Sequence, residues 1–419
     1  MSIARKSLVV LLLLGAALVA LNSIAFAQTP EATPEATSSG TIKMAVMGPF
    51  TGDAASIGNE QLDWVKLAVE DFNKSSGMNV QLVQSDTQLD AAKAVTAAQS
   101  IIADPDIYGV VGPSGSQEVD ATGKLFAAAN LVIVSPSATR TSLTQSGYST
   151  FFRTVPTDAA QGPTDGNFIW SQGVTKLFII DDQTSYATGL ADAVTTTFTA
   201  DGGTVVDHES VTQQDQDFSA LATKIGASGA QAVFFPGQIA SQGALLAKQL
   251  QEQGITVKFF AGDGFQSVSD FITGAAGATD GAFVSAFAPD IHNLASSADV
   301  VQRYTAEYGQ FGTFGPPAYT AAQVVLEAIQ RAQAAGNLTR AAVVAEVAKT
   351  NIPLTVMGVP LSFDKNGDIS NNVFYMFTVK DGNFVPVALP GAATPEATES
   401  MTATAEATMS MTPEATASS

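Results

Sequence analysis

The chain of 419 residues has no cysteine. That excludes disulfides, thiol nucleophiles, thiolate metal sites and a lipid-modified N-terminal cysteine, so the fold relies on core packing alone. Histidine is nearly absent too, with only His208 and His292, and His208 falls in a strand-like stretch of surface-type residues, which leaves little for a serine hydrolase to use as a base. Positive charge is scarce: 19 Lys and Arg face 39 Asp and Glu, a net charge of −20. Binding to a nucleic-acid backbone needs clustered Lys and Arg, so no nucleic-acid partner is expected. No motif calls for a metal or an organic cofactor.

What is present begins at the N-terminus. Arg5 and Lys6 precede an apolar run from Leu8 to Leu21, followed by Ala25-Phe26-Ala27 and Gln28. A basic start, an apolar core and small residues before a cleavage point are the layout of a secretory signal peptide, over 1–27. The run is shorter than the ~20 residues of a usual membrane span; retained, it would be an anchor instead. Either way the working protein is placed in the periplasm or at the outer face of the cytoplasmic membrane, and cytosolic roles recede. Two low-complexity segments bracket the body: Thr29-Pro30-Glu31-Ala32-Thr33 and its repeat within 28–40, and Thr394-Pro395-Glu396-Ala397-Thr398 with Thr412-Pro413-Glu414-Ala415-Thr416 within 391–419. Proline, small polar residues and like charges bury too little apolar area to fold, so both read as extended tethers.

The chain is 46% apolar, and its body alternates strand and helix. Thr41–Met47, Val80–Val83, Tyr108–Val111 and Leu131–Val134 read as strands. Helices at Asn59–Asn73, Asp90–Ile102 and Gln117–Ala129 lie between them. The rhythm returns with strands at Lys176–Ile180, Thr204–Val211, Ala232–Phe235 and Val257–Phe260 and helices at Tyr186–Ala200 and Ser241–Gln253. Strands alternating with helices imply parallel sheets covered on both faces. Two such series predict an α/β fold of two doubly wound lobes, whose ligands sit beyond the carboxyl ends of the strands.

Polar clusters fall at those ends. Gly112-Pro113-Ser114-Gly115-Ser116 runs from a strand into a helix, which makes either an anion site at a helix N-terminus or an ordinary capping turn. Ser135-Pro136-Ser137-Ala138-Thr139 follows the next strand. In the second series come Asp181-Asp182 with Tyr186, then Pro236-Gly237-Gln238, then Gly262-Asp263-Gly264. Asp263 is placed either to meet an ammonium group or to serve as a turn residue. Three familiar motifs fail. The Gly112–Ser116 loop ends in Ser where a nucleophile elbow needs Gly. Gly262–Ser267 lacks the last Gly of a dinucleotide fingerprint. Asp364-Lys365-Asn366-Gly367-Asp368 has its Gly too early for a calcium loop and no closing Glu; a hairpin between Leu361-Ser362-Phe363 and Val373-Phe374-Tyr375 is expected there instead.

Taken together, several blocks resemble the leucine/isoleucine/valine-binding type of periplasmic solute-binding protein that serves ABC importers. They are Ile42-Lys43-Met44-Ala45-Val46-Met47-Gly48-Pro49 with Thr51-Gly52, Gly112–Ser116, Ser135–Thr139, Leu143-Thr144, Phe152-Arg153-Thr154 leading to Gln161-Gly162-Pro163, Asp217-Phe218-Ser219 and Val356-Met357-Gly358. The resemblance covers most of Thr41 to Val387. It implies the type I periplasmic-binding-protein fold: lobe 1 from 41–153 plus 286–358, lobe 2 from 154–285 plus 359–390, and three crossings near Arg153–Pro156, Ser285–Ala288 and Gly358–Ser362. It further implies a non-enzymatic, monomeric binder that closes on one amino acid and delivers it to a membrane permease, or a sensing receptor of the same fold. Ser116 matches the serine that holds the ligand carboxylate. Ser137 and Thr139 match positions that meet the carboxylate and amino ends. Tyr186 matches a tyrosine that closes over the ligand, and Asp263 replaces the acid that pairs with the ammonium. Gln238 and Ile57 stand where aromatics are common, and Ser114 replaces an apolar pocket residue. Those departures widen the expected ligands from branched-chain to other neutral amino acids, amides, urea or short peptides.

Overall fold

A computed structural model describes residues 40–389. The expected signal peptide and most of the two tethers fall outside the described residues. Among the described residues no helix is long and apolar enough to cross a membrane.

Two parallel sheets organise the body, as the strand–helix alternation predicts. In the first lobe β1 (Ile42–Gly48), β2 (Val80–Asp86), β3 (Ile107–Val111), β4 (Val132–Ser135) and β5 (Phe151–Arg153) form a sheet ordered β2-β1-β3-β4-β5, every pair parallel. In the second, β6 (Lys176–Asp181), β7 (Thr204–Ser210), β8 (Ala232–Phe235), β9 (Lys258–Ala261) and β10 (Phe283–Ala286) repeat that order as β7-β6-β8-β9-β10. Two antiparallel strands, β13 (Tyr375–Lys380) and β14 (Asn383–Val387), extend the second sheet at its edge. A small ladder joins β11 (Asn351–Ile352) to β12 (Leu361–Ser362). Three inner strands, β3, β4 and β8, are buried along their whole length. Burial on both faces explains why they read as continuous apolar runs.

Helices cover both faces. In the first lobe α1 (Ala55–Ser76), α2 (Ala91–Ala103) and α3 (Ser116–Ala128) follow the first three strands. In the second, α4 (Asp158–Ser171) precedes β6, and α5 (Ser185–Ala200), α6 (Ser219–Ser228) and α7 (Ala240–Glu252) follow β6, β7 and β8. The chain then returns to the first lobe as α8 (Ala298–Tyr308), α9 (Gly315–Ala334) and α10 (Arg340–Val347), packed with Trp64, Val65 and Val325 in one core.

Two expectations are corrected at the C-terminal side. Leu361-Ser362 does not pair with Val373–Tyr375. Its backbone groups are taken by Asn351-Ile352, and Tyr375 opens a strand held between β10 and β14. The turn at Asp364–Asp368 is real, closed by Gly367 N–H donating to Asp364 O at 3.1 Å and by a bridge from Phe363 to Ile369. The third crossing also comes later than Gly358–Ser362. Phe363 packs on Phe152 with ring centres 5.0 Å apart, and Asp368 Oδ1 accepts from Arg153 Nε at 2.6 Å, so 359–369 belong with the first lobe. The chain passes to the second lobe just before Phe374. There Val155, Phe287, Ala288, Met357 and Phe374 share one apolar cluster, which packs the three crossings against each other.

α4 and α5 approach closely because two glycines stand on their contact face. A Cβ on Gly162 would lie 2.3 Å from the Ala193 Cβ, and one on Gly166 would lie 2.8 Å from the Thr197 Cβ. Gly162→Ala is therefore expected to destabilise the protein by about 1–3 kcal/mol through overpacking. Thermal unfolding checks this, with an unchanged midpoint as the contrary result.

Candidate functional site

The strand ends carry the polar groups, and each lobe builds its half differently. In the first lobe the loops after β3 and β4 are tied by side chains. Ser114 Oγ donates to Gln61 Oε1 at 2.6 Å, Gln61 Nε2 donates to Ser137 Oγ at 2.8 Å, and Ser137 Oγ donates to Ser114 O at 2.8 Å. Ser116 opens α3 and its hydroxyl accepts from the Arg140 backbone N–H at 3.2 Å. The first N–H groups of a helix have no partner within it, so the α3 terminus presents donors at this point. Thr139 is fully buried and its hydroxyl has no hydrogen-bond partner within the chain. Behind this loop the buried Arg153 guanidinium donates to Ala138 O at 3.1 Å, Arg140 O at 2.8 Å and Thr144 Oγ1 at 3.1 Å. One rigid fork thereby fixes the backbone that displays Ser137 and Thr139.

The second lobe contributes a chain of neutral donors and buried acids. Tyr186 Oη donates to Asp263 Oδ1 at 2.8 Å, and Gln161 Nε2 reaches the same oxygen at 2.6 Å. Gln161 Nε2 also donates to Ser285 Oγ at 3.0 Å, and Ser285 Oγ donates to Asp165 Oδ2 at 3.1 Å. A Cβ on Gly262 would meet the Tyr186 hydroxyl oxygen at 2.3 Å, so only glycine there lets the phenol reach Asp263. Asp158, Gln161 and Asp165 project from one stretch of α4, and neither oxygen of Asp158 has a hydrogen-bond partner within the chain.

Three carboxyl groups, Asp158, Asp165 and Asp263, are thus at least 95% buried, with exposures of 3%, 2% and 4%. None forms a salt bridge among the described residues. Burial pushes Asp263 up to about 6, opposed by its bonds from Gln161 and Tyr186. It pushes Asp158 up to about 7, opposed by the nearby Thr139 hydroxyl and, at longer range, by Arg153 and Arg140. Asp165 is raised well above the usual carboxylate range by burial, with Asp263 and Asp158 adding repulsion. Burial and the same acids raise the Tyr186 phenol, so it stays a donor.

The halves meet at defined contacts. Gln117 Nε2 of the first lobe donates to Gln238 Oε1 of the second at 2.8 Å. The Arg140 guanidinium donates to the Ser185 carbonyl oxygen and, at 3.4 Å, to Thr188 Oγ1. Asp158 N–H donates to Thr139 O at 2.9 Å. Beside Gln117 an interlobe cavity of about 420 Å³ draws its walls from both lobes. Another, of about 410 Å³, is lined by the first lobe alone around the Asp364–Gly367 turn.

Of the sequence-predicted residues, Ser114 and Ser137 are joined through Gln61, Tyr186 and Asp263 are joined directly, and Gln238 sits at the lobe contact. Ser116 and Thr139 flank the Arg140 backbone. Ile57 is buried with Val155, Phe287, Phe314 and Phe374 in the cluster at the crossings. Sequence reasoning missed Gln61, Gln117, Arg140, Asp158, Asp165 and Ser285. Asp158, Gln161 and Asp165 stand at i, i+3 and i+7, a helical polar face that would have marked them. Neither histidine approaches the serine loops: His208 Nε2 bonds Asp181 Oδ2 at 2.8 Å and His292 Nδ1 bonds Asp290 Oδ1 at 2.6 Å.

Two parallel-sheet lobes, three crossings and polar loops facing across a cleft define a two-lobed ligand-binding protein of the type I architecture. Comparison with known proteins gives the family: the profile described as "Periplasmic binding protein" matches residues 41–383, and the chain belongs to this family of solute-binding proteins. It is 30% identical over 369 residues to the Leu/Ile/Val-binding protein homolog 3 of Brucella melitensis, covering 87% of this chain and 98% of the relative. It is 31% identical over 345 residues to the leucine-, isoleucine-, valine-, threonine- and alanine-binding protein of Pseudomonas aeruginosa, covering 80% and 89%. Among solved structures, a leucine-binding protein LivK of Thermotoga maritima superposes with a TM-score of 0.76 at 25% identity, covering 83% of this chain and 98% of that one.

The raised carboxyl groups carry a pH dependence. Between the ordinary 3.8 and the folded values of about 6 and 7, the folded state binds more protons than the unfolded one. Stability of the protein without added solute is therefore expected to fall as pH rises from about 4 to about 7. Asp165→Asn, which removes one of the three acids, is expected to flatten that fall. Denaturant unfolding across the range checks both, and stability that rises with pH equally in the two proteins would contradict them.

Proposed function

We propose that this protein is an exported binder of a zwitterionic amino acid, which it holds between its lobes and delivers to the membrane permease of an ABC importer. The observation that carries this reading is the polarity of the cleft. Hydroxyls, the α3 N-terminus and the Arg140 region lie on one side, and Asp158 and Asp263, buried without a salt bridge and backed by Asp165, lie on the other. A zwitterion needs donors for its carboxylate and a counter-charge for its ammonium, and a buried charge left unpaired is costly. Relatives named for binding leucine, isoleucine, valine, threonine and alanine support the ligand class. The signal-like N-terminus supports export.

In this mechanism the ligand docks in the open cleft, its carboxylate on Ser116 and its carboxylate and amino ends on Ser137 and Thr139. Closure brings Asp263 and Tyr186 to the ammonium, and the lobes lock through Gln117–Gln238 and Arg140–Ser185. Only contacts made in the closed form favour it, so the ammonium pairing is what couples binding to closure. No step needs a nucleophile, and the reading assigns no catalysis. A buried monoacid would set its charge beside three carboxyl groups with nothing to compensate them, which disfavours simple organic acids as ligands.

Calorimetric titration with a panel of neutral amino acids tests the reading. At least one is expected to bind, and Asp263→Ala is expected to weaken that binding by about 2–5 kcal/mol by leaving the ammonium unpaired. Unchanged affinity would remove Asp263 from the site, and no binding by any member of the panel would overturn the ligand class.

A further inference from the structure

Two places where the chain breaks local rules meet across the lobes. The first is the turn between β2 and α2. Asp90 N–H donates to Thr87 O at 3.0 Å, and both residues inside that turn, Gln88 and Leu89, have positive φ, 53° and 60°. Such a turn is ordinarily filled by Asn and Gly, because a side chain at positive φ crowds its own backbone. The second is the start of α7. Ile239 stands at its N-cap, where Ser, Thr, Asp or Asn would bond an N–H of the first turn, and the isoleucine makes no such bond. Local conflicts of this kind concentrate where a protein needs something other than stability.

Both residues are buried, and both belong to one small apolar cluster, Ala54 and Leu89 from the first lobe with Ile239 from the second. Hydrogen bonds hold the contact in register. Gln117 Nε2 donates to Leu89 O at 3.2 Å and to Gln238 Oε1 at 2.8 Å, which ties the left-handed turn to the residue before Ile239. Gln238 N–H in turn donates to the buried Asp182 Oδ2 at 3.0 Å, fixing the start of α7 to the end of β6. On the first-lobe side, a Cβ on Gly115 would lie 3.0 Å from Leu89 Cδ1, so the leucine is seated against the glycine that precedes Ser116. Separating the lobes would break the contact between Ile239 and its two neighbours and return apolar surface to water. The two local costs are therefore offset only in the closed form.

We propose that Leu89 and Ile239 are positioning residues for closure, an apolar clasp that holds part of the population closed before any solute arrives and scales the affinity for every solute by the same factor. All contacts of the clasp are between protein groups, so they favour the closed form whichever solute is present. Where only the closed form is competent, apparent affinity falls in proportion to the closed fraction. The affinity half of the proposal rests on the amino-acid reading above; the closure half does not.

Ile239→Ser and Leu89→Asn test it. Serine caps a helix better than isoleucine and asparagine tolerates positive φ better than leucine, so each variant relieves a local cost while deleting the interlobe contact. Because the chain has no cysteine, Lys124→Cys on α3 and Glu252→Cys on α7, both at exposed positions, place one spin label on each lobe of the full chain. The distance between the labels then reports closure with no solute added. The labelled parent is expected to show an open and a closed distance, and each clasp variant to lower the closed fraction about two- to tenfold, with calorimetry showing every neutral amino acid that binds weakened by that same factor. A single open distance in the parent, a closed fraction untouched by both variants, or affinities that do not follow the closed fraction would overturn the clasp. If no neutral amino acid binds the parent, the amino-acid reading falls and the label distances alone decide the clasp.

Discussion

Three carboxyl groups buried in the second lobe, with no cationic side chain bonded to any of them, set the terms for the rest of this molecule. Asp263 is held by two neutral donors and Asp165 by one, while Asp158 has the Thr139 hydroxyl beside it. Desolvation drives all three toward the protonated form. A fold keeps such an arrangement only where the surrounding packing over-determines it, and here it does. The close seat of α4 on α5, allowed by Gly162 and Gly166, holds Asp158 and Asp165 in place, and Gly262 leaves room for Tyr186 to hold Asp263. An ammonium group bound beside them would supply a counter-charge and draw the pKa values back down, and its binding would then release protons.

The first lobe meets that half with the opposite character. Its loops after β3 and β4 are rigid because Gln61 ties Ser114 to Ser137 and Arg153 holds the backbone of Ala138 and Arg140. Arg153 in turn is neutralised by Asp368, a residue far along the chain that reaches it because the segment after β12 folds back on the first lobe. The crossings share one apolar cluster, built from Val155, Phe287, Ala288, Met357 and Phe374.

Much of this was legible in the sequence. The alternation of apolar runs and amphipathic helices gave both sheets, and Ala232–Phe235 matched to the residue, because strands buried on both faces leave no ambiguity of pattern. The polar loops at the strand ends were legible too, with Ser116 opening α3 and Asp263 bonded to Tyr186. What escaped was long-range. Gln61 lies in mid-helix with nothing local to distinguish it, and its role exists only because α1 packs beside two distant loops. Asp158 and Asp165 look like ordinary helix-surface acids until α4 is seen to turn that face inward. The expected hairpin at 361–375 failed for the same reason: local turn chemistry at Asp364–Asp368 was right, but the partner of Leu361-Ser362 came from upstream, at Asn351-Ile352.

The most direct test of the central claim removes the ligand's positive charge and nothing else. Calorimetry would compare whichever amino acid binds best with its deaminated analogue, the same carboxylate and side chain without the ammonium. If the buried acids exist to meet that charge, the analogue binds at least about 30-fold more weakly, since truncating one partner of a buried charge pair costs about 2 kcal/mol or more. Equal or tighter binding of the deaminated analogue would contradict the account.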